Sequence, residues 1–146
     1  MKFLIVNGPN LNLLGKRDPE HYGTFTLADV EEKLKMTASE FDVEVEFFQS
    51  NHEGAIIDTI QEASQTFNGI VINPGALTHY SYAIRDAVEN CPIPVMEVHI
   101  SDIHSREDFR RISVIAPACF GQIAGRGIMS YVDGLKALVE KENKNG

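Results

Sequence analysis

Short apolar runs alternate along the chain with longer stretches of helical periodicity. Phe3-Leu4-Ile5-Val6, residues 43–48, Ile70-Val71-Ile72 and residues 95–98 are rich in β-branched and aromatic side chains, which predicts four strands. Between them, Leu27, Val30, Leu34, Ala38 and Phe41 recur three or four positions apart behind Thr26-x-x-Asp29, a capping-box pattern. Ile56, Ile57, Ile60, Ala63 and Phe67 repeat the periodicity, a third helix is expected over residues 81–90 with Pro92 beyond it, and a last one from 127 to about 142 turns Ile128, Val132, Leu135 and Val139 inward. For a fifth strand, residues 113–116 and 119–124 both qualify. The second is preferred, because Gly125 and Gly127 then make the turn into the last helix.

Strands that alternate with helices imply parallel pairing through right-handed crossovers, hence an α/β doubly wound sheet with helices on both faces. The expected architecture is flavodoxin-like, five strands in the order 2-1-3-4-5, with residues 1–146 forming one domain. In such sheets ligands bind at the carboxyl ends of the strands. The connection after the first strand spans residues 8–25, far more than the usual two to six or so, which singles it out as a functional loop or lid.

Composition narrows the classes. The 146 residues, 43% hydrophobic, suffice for one packed core. No run of 18 apolar residues occurs, and the first apolar stretch is too short for a signal peptide, so a cytoplasmic protein without a membrane partner is expected. Two cysteines, Cys91 and Cys119, make no disulfide framework or C-x-x-C pair. A net charge of -8 argues against nucleic acid, whereas an anionic small molecule stays open because local charge can oppose the total.

The chemistry-bearing residues gather in three stretches. Residues 7–23 carry amide side chains, glycines and prolines together with Arg17 and Tyr22, but no G-x-G-x-x-G or G-x-x-x-x-G-K-[ST] pattern. A loop tyrosine alone suits a rim or packing role. With an ordinary pKa of about 10 it is a poor base unless a cation stabilises the phenolate, and Arg17 five residues earlier can supply one. Residues 73–81 place Asn73, a Pro74-Gly75 turn and His79 after the third strand; His79 suits a helix start as well as a ligand contact, its position favouring the second. At the end of the fourth strand stands His99, followed by Ile100 and Ser101, whose backbone amides can form an anion nest. Ser105 is then expected to cap a short turn carrying Arg106, Arg110 and Arg111, a cluster suited to a carboxylate. The histidines lack zinc-like spacing, so no metal is expected, and G-x-S-x-G is absent.

Together these stretches resemble the type II 3-dehydroquinate dehydratase family over about residues 3–140, through N-G-P-N-L-N-L-L-G-x-R with Y-G, N-P-G-A-x-T-H, and E-V-H-I-S-x-x-H-x-R-E-x-F-R. The resemblance implies a hydro-lyase that converts 3-dehydroquinate to 3-dehydroshikimate by anti elimination through an enolate, without a cofactor, in the shikimate pathway to chorismate and aromatic amino acids or in quinate catabolism. It makes Tyr22 the base, Arg17 the residue that stabilises the phenolate and the developing charge, His99 the acid and Asn10 the holder of a water on the enolate oxygen. Asn73, Gly75, His79 and Arg110 would bind substrate, the latter two and Asn73 through ring hydroxyls; the backbone of Ile100 and Ser101 would take the carboxylate, and Arg106 would assist Tyr22 electrostatically. The family's trimer-based dodecamers imply a homo-oligomer in which Asp86 reaches a neighbouring subunit's site. Asp102 and Gln61 depart from the family's usual Asn and His, outside these roles.

The alternative Schiff-base route needs a lysine at a strand's carboxyl end, where none of the seven lysines falls. Two other readings remain at this level: a flavodoxin-like binding or signalling module, and a lyase acting on another cyclic hydroxy acid. A phospho-receiver wants acidic residues where Asn7 and Asn73 stand, and a flavin site wants a Ser/Thr-rich phosphate loop that is missing.

Overall fold

The computed structural model describes residues 1–145. Its five strands are β1 (Lys2–Asn7), β2 (Glu44–Gln49), β3 (Gly69–Asn73), β4 (Val95–His99) and β5 (Gly121–Ala124), all parallel and ordered β2-β1-β3-β4-β5. The helices are α1 (Pro19–Tyr22), α2 (Leu27–Glu40), α3 (Glu53–Ala63), α4 (Tyr82–Asn90) and α5 (Ile128–Asn145). The expected strand order holds, and the fifth strand lies within the preferred segment. Among the described residues, no helix is long and apolar enough to cross a membrane.

The two-sided burial of the sheet explains the continuous apolar runs. Successive side chains of a strand face opposite ways. Phe3 and Ile5 of β1, Val71 of β3, and Met96 and Val98 of β4 pack with α2 and α5, while Leu4, Val6, Ile70, Ile72 and Val95 pack with α3 and α4. Helix α2 starts as its pattern requires: the Thr26 hydroxyl accepts from the Asp29 amide at 3.2 Å, and the Asp29 carboxylate accepts from the Thr26 amide at 2.9 Å. Its inward stripe narrows to Val30, Leu34 and Ala38, with Phe41 exposed beyond the helix end.

Both faces being covered, a ligand can reach the sheet only at the strand ends. Asn7 and Asn73 are register partners at the ends of β1 and β3. There the following loops touch: the Gly8 amide donates to the Asn73 carbonyl at 2.8 Å, and a Cβ on Gly8 would stand 2.5 Å from the Pro74 carbonyl oxygen. No side chain fits. Gly8→Ala is therefore expected to cost about 2 kcal/mol through overpacking against backbone that cannot yield; an unchanged urea midpoint would refute this crowding.

Candidate active site

The long connection after β1 is folded rather than open. A 3-10 turn at Leu11–Leu13 and the short α1, whose Asp18 side chain accepts from the Glu20 amide at 3.0 Å, lay it over the strand ends. Leu11, Leu14 and Tyr22 are buried and anchor it to the core. The chain beyond β4 returns through 3-10 turns at Ile103–Ser105 and Asp108–Arg110. Here the cap differs from the expectation: the Asp102 carboxylate accepts from the His104 amide at 3.1 Å, while the Ser105 hydroxyl donates to the Asp102 carbonyl at 3.0 Å. An Asp accepts at this turn without needing a hydroxyl hydrogen placed elsewhere.

Between these segments lies a narrow cleft, partly open to solvent, lined by Arg17, Tyr22, Asn73, Gly75, His79, His99, Ile100, Ser101, Arg106 and Arg110 together with Leu11, Ala76 and Ile103. Two expected residues stand apart from it. Asp86 is exposed on α4 and does not line this chain's cleft. Asn10 has a left-handed backbone (φ 69°), its amide donates to Asn51 Oδ1 at 3.0 Å, and its side chain is exposed; that conformation sends Leu11 into the wall instead.

Three guanidiniums converge on the cleft, and no carboxylate lines it. The local field is thus positive in a chain of charge -8, as an anion site requires. Arg106 Nη1 donates to the Tyr22 hydroxyl at 2.6 Å and to Ser101 Oγ at 3.3 Å, whereas Arg17 lies flat over the Tyr22 ring, 3.7 Å from its centroid. The two arginines divide the work: Arg106 makes the direct bond to the oxygen, and Arg17 adds charge through the ring face. Arg106 Nε is buried without a partner, a donor still free for a ligand.

The opposite wall is built on β4. His99 Nε2 bonds Glu97 Oε2 at 2.8 Å, and Glu97 is wholly buried, also accepting from Gln122 Nε2 at 2.6 Å and from Ser113 Oγ at 2.8 Å. Burial alone would raise the Glu97 carboxyl; the hydrogen bond and charge of His99, with the Gln122 and Ser113 donors, outweigh it and hold the group below the ordinary carboxylate range. With Nε2 committed to Glu97, Nδ1 is the His99 nitrogen left for a ligand. His79 Nδ1 bonds the Ile112 carbonyl at 2.8 Å; burial lowers its pKa more than that bond raises it, which favours the neutral ring. Burial also pushes the Cys119 thiol up to about 12, which removes it as a nucleophile.

The backbone beside His99 is braced by the turn before α5. The Ile100 and Ser101 carbonyls accept from the Gly127 and Gly125 amides, each at 3.1 Å, and both glycines hold positive φ in the turn before α5. In a trans peptide the amide points away from the carbonyl, so bracing the Ile100 oxygen on Gly127 turns the Ser101 N–H the other way.

The class II dehydroquinase family profile matches residues 1–139. The chain belongs to this family. A 3-dehydroquinate dehydratase of Bacillus cereus (strain G9842) is 59% identical over 140 residues, covering 96% of each chain. Crystal structures of type II dehydroquinases are similarly close: that from Butyrivibrio crossotus DSM 2876 aligns with a TM-score of 0.92 at 51% identity, covering 94% of this chain and 97% of its own, and that from Propionibacterium acnes with 0.91 at 40% identity, covering 95% and 96%.

Against this dehydroquinase frame, Glu97, Ser113 and Gln122 are the site residues that motif reading passed over. Glu97 carried a usable signal, since residues i and i+2 of a strand share a face and Glu97 is two before His99. Ser113 and Gln122 reach it through tertiary structure alone. Because its native pKa is depressed, Glu97 contributes stability that is present above the unfolded carboxyl pKa and lost as pH falls through the native one. Glu97→Gln should therefore cost about 3 kcal/mol at pH 7, and the gap to the parent should narrow on acidification below the ordinary carboxylate range. Urea midpoints at pH 7 and below that range test this; a gap independent of pH would exclude an ionised Glu97.

Proposed function

We propose that this cleft dehydrates 3-dehydroquinate to 3-dehydroshikimate, a hydro-lyase step of the shikimate pathway, with residues 1–146 acting as one catalytic domain. The observation that carries the reading is a phenol bonded by Arg106 and covered by Arg17, set across one cleft from an imidazole backed by a buried carboxylate.

The substrate carboxylate seats on the Ile100 and Ser101 amides, with Arg106 Nε and the Arg110 guanidinium near it. Asn73, His79 and Arg110 hold the ring hydroxyls. Tyr22, as phenolate, takes the proton α to the ketone, and the C–H electrons move into an enolate. The enolate then expels the β-hydroxyl as His99 Nδ1 protonates it, so a C=C bond forms, a C–O bond breaks and water leaves. Tyr22 ends protonated and His99 neutral, and return of that proton from the phenol through solvent to the imidazole resets the pair. A base, an acid and a place for the enolate charge suffice, and no step calls for a metal or cofactor. For Asn10 to place a water on the enolate oxygen, the first loop must turn it inward on binding, consistent with a lid.

Addition of 3-dehydroquinate to the pure protein is expected to give a rise in ultraviolet absorbance from the conjugated enone, and no rise would sink the reading. Tyr22→Phe and His99→Ala should each lower kcat by about 10³-fold, and Arg106→Ala by about 10²-fold, with assembly intact. Near-normal turnover in any one of them rejects its role.

The same reading includes a homo-oligomer, trimer-based and dodecameric, in which Asp86 of one subunit approaches its neighbour's cleft. The exposed Tyr80 and Tyr82 beside α4, with Phe109 and Ile112, supply apolar surface for such a contact. Sedimentation should give an assembled species; a monomer with full activity would exclude the Asp86 role.

A further inference from the structure

A polar network lies under the cleft floor and reaches the cleft through Asn73. Tyr131, on α5, is wholly buried, and its hydroxyl donates to Asn7 Oδ1 at 2.5 Å and accepts from Asn73 Nδ2 at 3.0 Å. Asn73 Oδ1 accepts in turn from the Gly75 amide at 3.1 Å. We propose that Tyr131 is a positioning residue for the reaction, its hydroxyl fixing which way the Asn73 amide faces and, through it, the Gly75 turn. The inference rests on the reading of the cleft given above.

An asparagine amide has nearly the same shape after a half-turn, so packing does not select between its orientations and hydrogen bonds must. The Tyr131 hydroxyl has one hydrogen, which goes to Asn7; toward Asn73 it can therefore only accept, and this demands Nδ2 on its side. Gly75 demands the oxygen on the other. Donation then runs in one direction, from the Gly75 amide to Asn73 and separately from Asn73 to Tyr131 to Asn7. The second hydrogen of Asn73 Nδ2 has no acceptor among the described residues, and Asn73 lines the cleft. Tyr131 thus points an otherwise unused donor at the place where a substrate hydroxyl arrives.

The placement follows from the fold. Asn7 and Asn73 alternate with Ile5 and Val71, which face α5, and they are neighbours in the sheet. A side chain entering from the helices on that face can bridge both, and Tyr131 of α5 does. The same two residues open the loops that carry Tyr22 and His79, so the Tyr131 hydroxyl ties the roots of both walls together.

Tyr131→Phe removes the oxygen and keeps the ring. It is expected to raise KM for 3-dehydroquinate about tenfold, as an unpaired buried amide turns or loosens, with kcat changed less than about threefold, since ring-hydroxyl contacts serve ground and transition state alike. Asn73→Ala should raise KM by itself, and adding Tyr131→Phe to it should have almost no further effect. Asn7→Ala, which touches no substrate, provides a second route should Tyr131→Phe fold poorly: freeing the hydroxyl's hydrogen should raise KM in the same direction. A merely structural tyrosine would lower Tm and leave KM alone, or would add fully to Asn73→Ala. Either result overturns the proposal, as does a KM within twofold of the parent in every variant that folds. Parental turnover with unchanged variant KM overturns this inference alone, whereas absence of parental turnover overturns the reading of the cleft with it.

Discussion

The arrangement depends on one carboxylate without water. Glu97 sits in the fourth strand of a sheet covered on both faces, where an unpaired charge would cost several kcal/mol. Its lone pairs must be filled by the protein, and they are: by His99 from its own strand, Gln122 from β5 and Ser113 from the returning chain. Satisfying that charge also fixes the imidazole that faces the cleft. His99 cannot rotate without breaking the bond that solvates Glu97, so its tautomer, its plane and the nitrogen it presents follow from the solvation of a buried anion.

The same economy appears at β1 and β3. Asn7 and Asn73 face a helix, not water, and their amides are met by a tyrosine hydroxyl that is itself removed from solvent. At both places polar groups that would weaken a core are paired into directional chains, which specify geometry in a way that apolar packing does not. Edge loops then inherit that geometry. Gly8 and Gly75 let the two loops meet at backbone distance, so the lid begins from a fixed point.

Much of this was legible in the sequence, and the misses are physical in kind. Parallel pairing followed from strand-helix alternation, because parallel strands buried on both faces leave continuous apolar runs and demand crossovers, while the order 2-1-3-4-5 was an expectation of the flavodoxin-like type that the sheet bears out. The fifth strand was ambiguous until Gly125 and Gly127 were given the turn, and the structure shows why they belong there: they brace the Ile100 and Ser101 carbonyls. Motifs brought ten expected residues to one cleft, but they did not show that Asn10 would bond Asn51 and stand outside it, or that Arg106 rather than Arg17 would hold the phenol oxygen. Those depend on which loop lies over which. Gln122 and Tyr131 were invisible for a related reason, since each acts across the sheet on a residue that periodicity alone marks only as inward-facing.

The division between rigid and covered chemistry explains why base and acid are held so differently. His99 rides on a strand, its orientation guaranteed by a buried charge, whereas Tyr22 rides on a long connection anchored by Leu11, Leu14 and its own ring. In the proposed reaction the phenolate is the more demanding species to sustain, for it stands beside an anionic substrate. Two permanently charged guanidiniums, one on the oxygen and one on the ring, meet that demand without titrating themselves. Arg17 shares the first loop with Tyr22, whereas Arg106 reaches the phenol from the segment across the cleft. The hydroxyl is thus held by a charge from outside its own loop, so its place in the cleft depends on how the two segments meet.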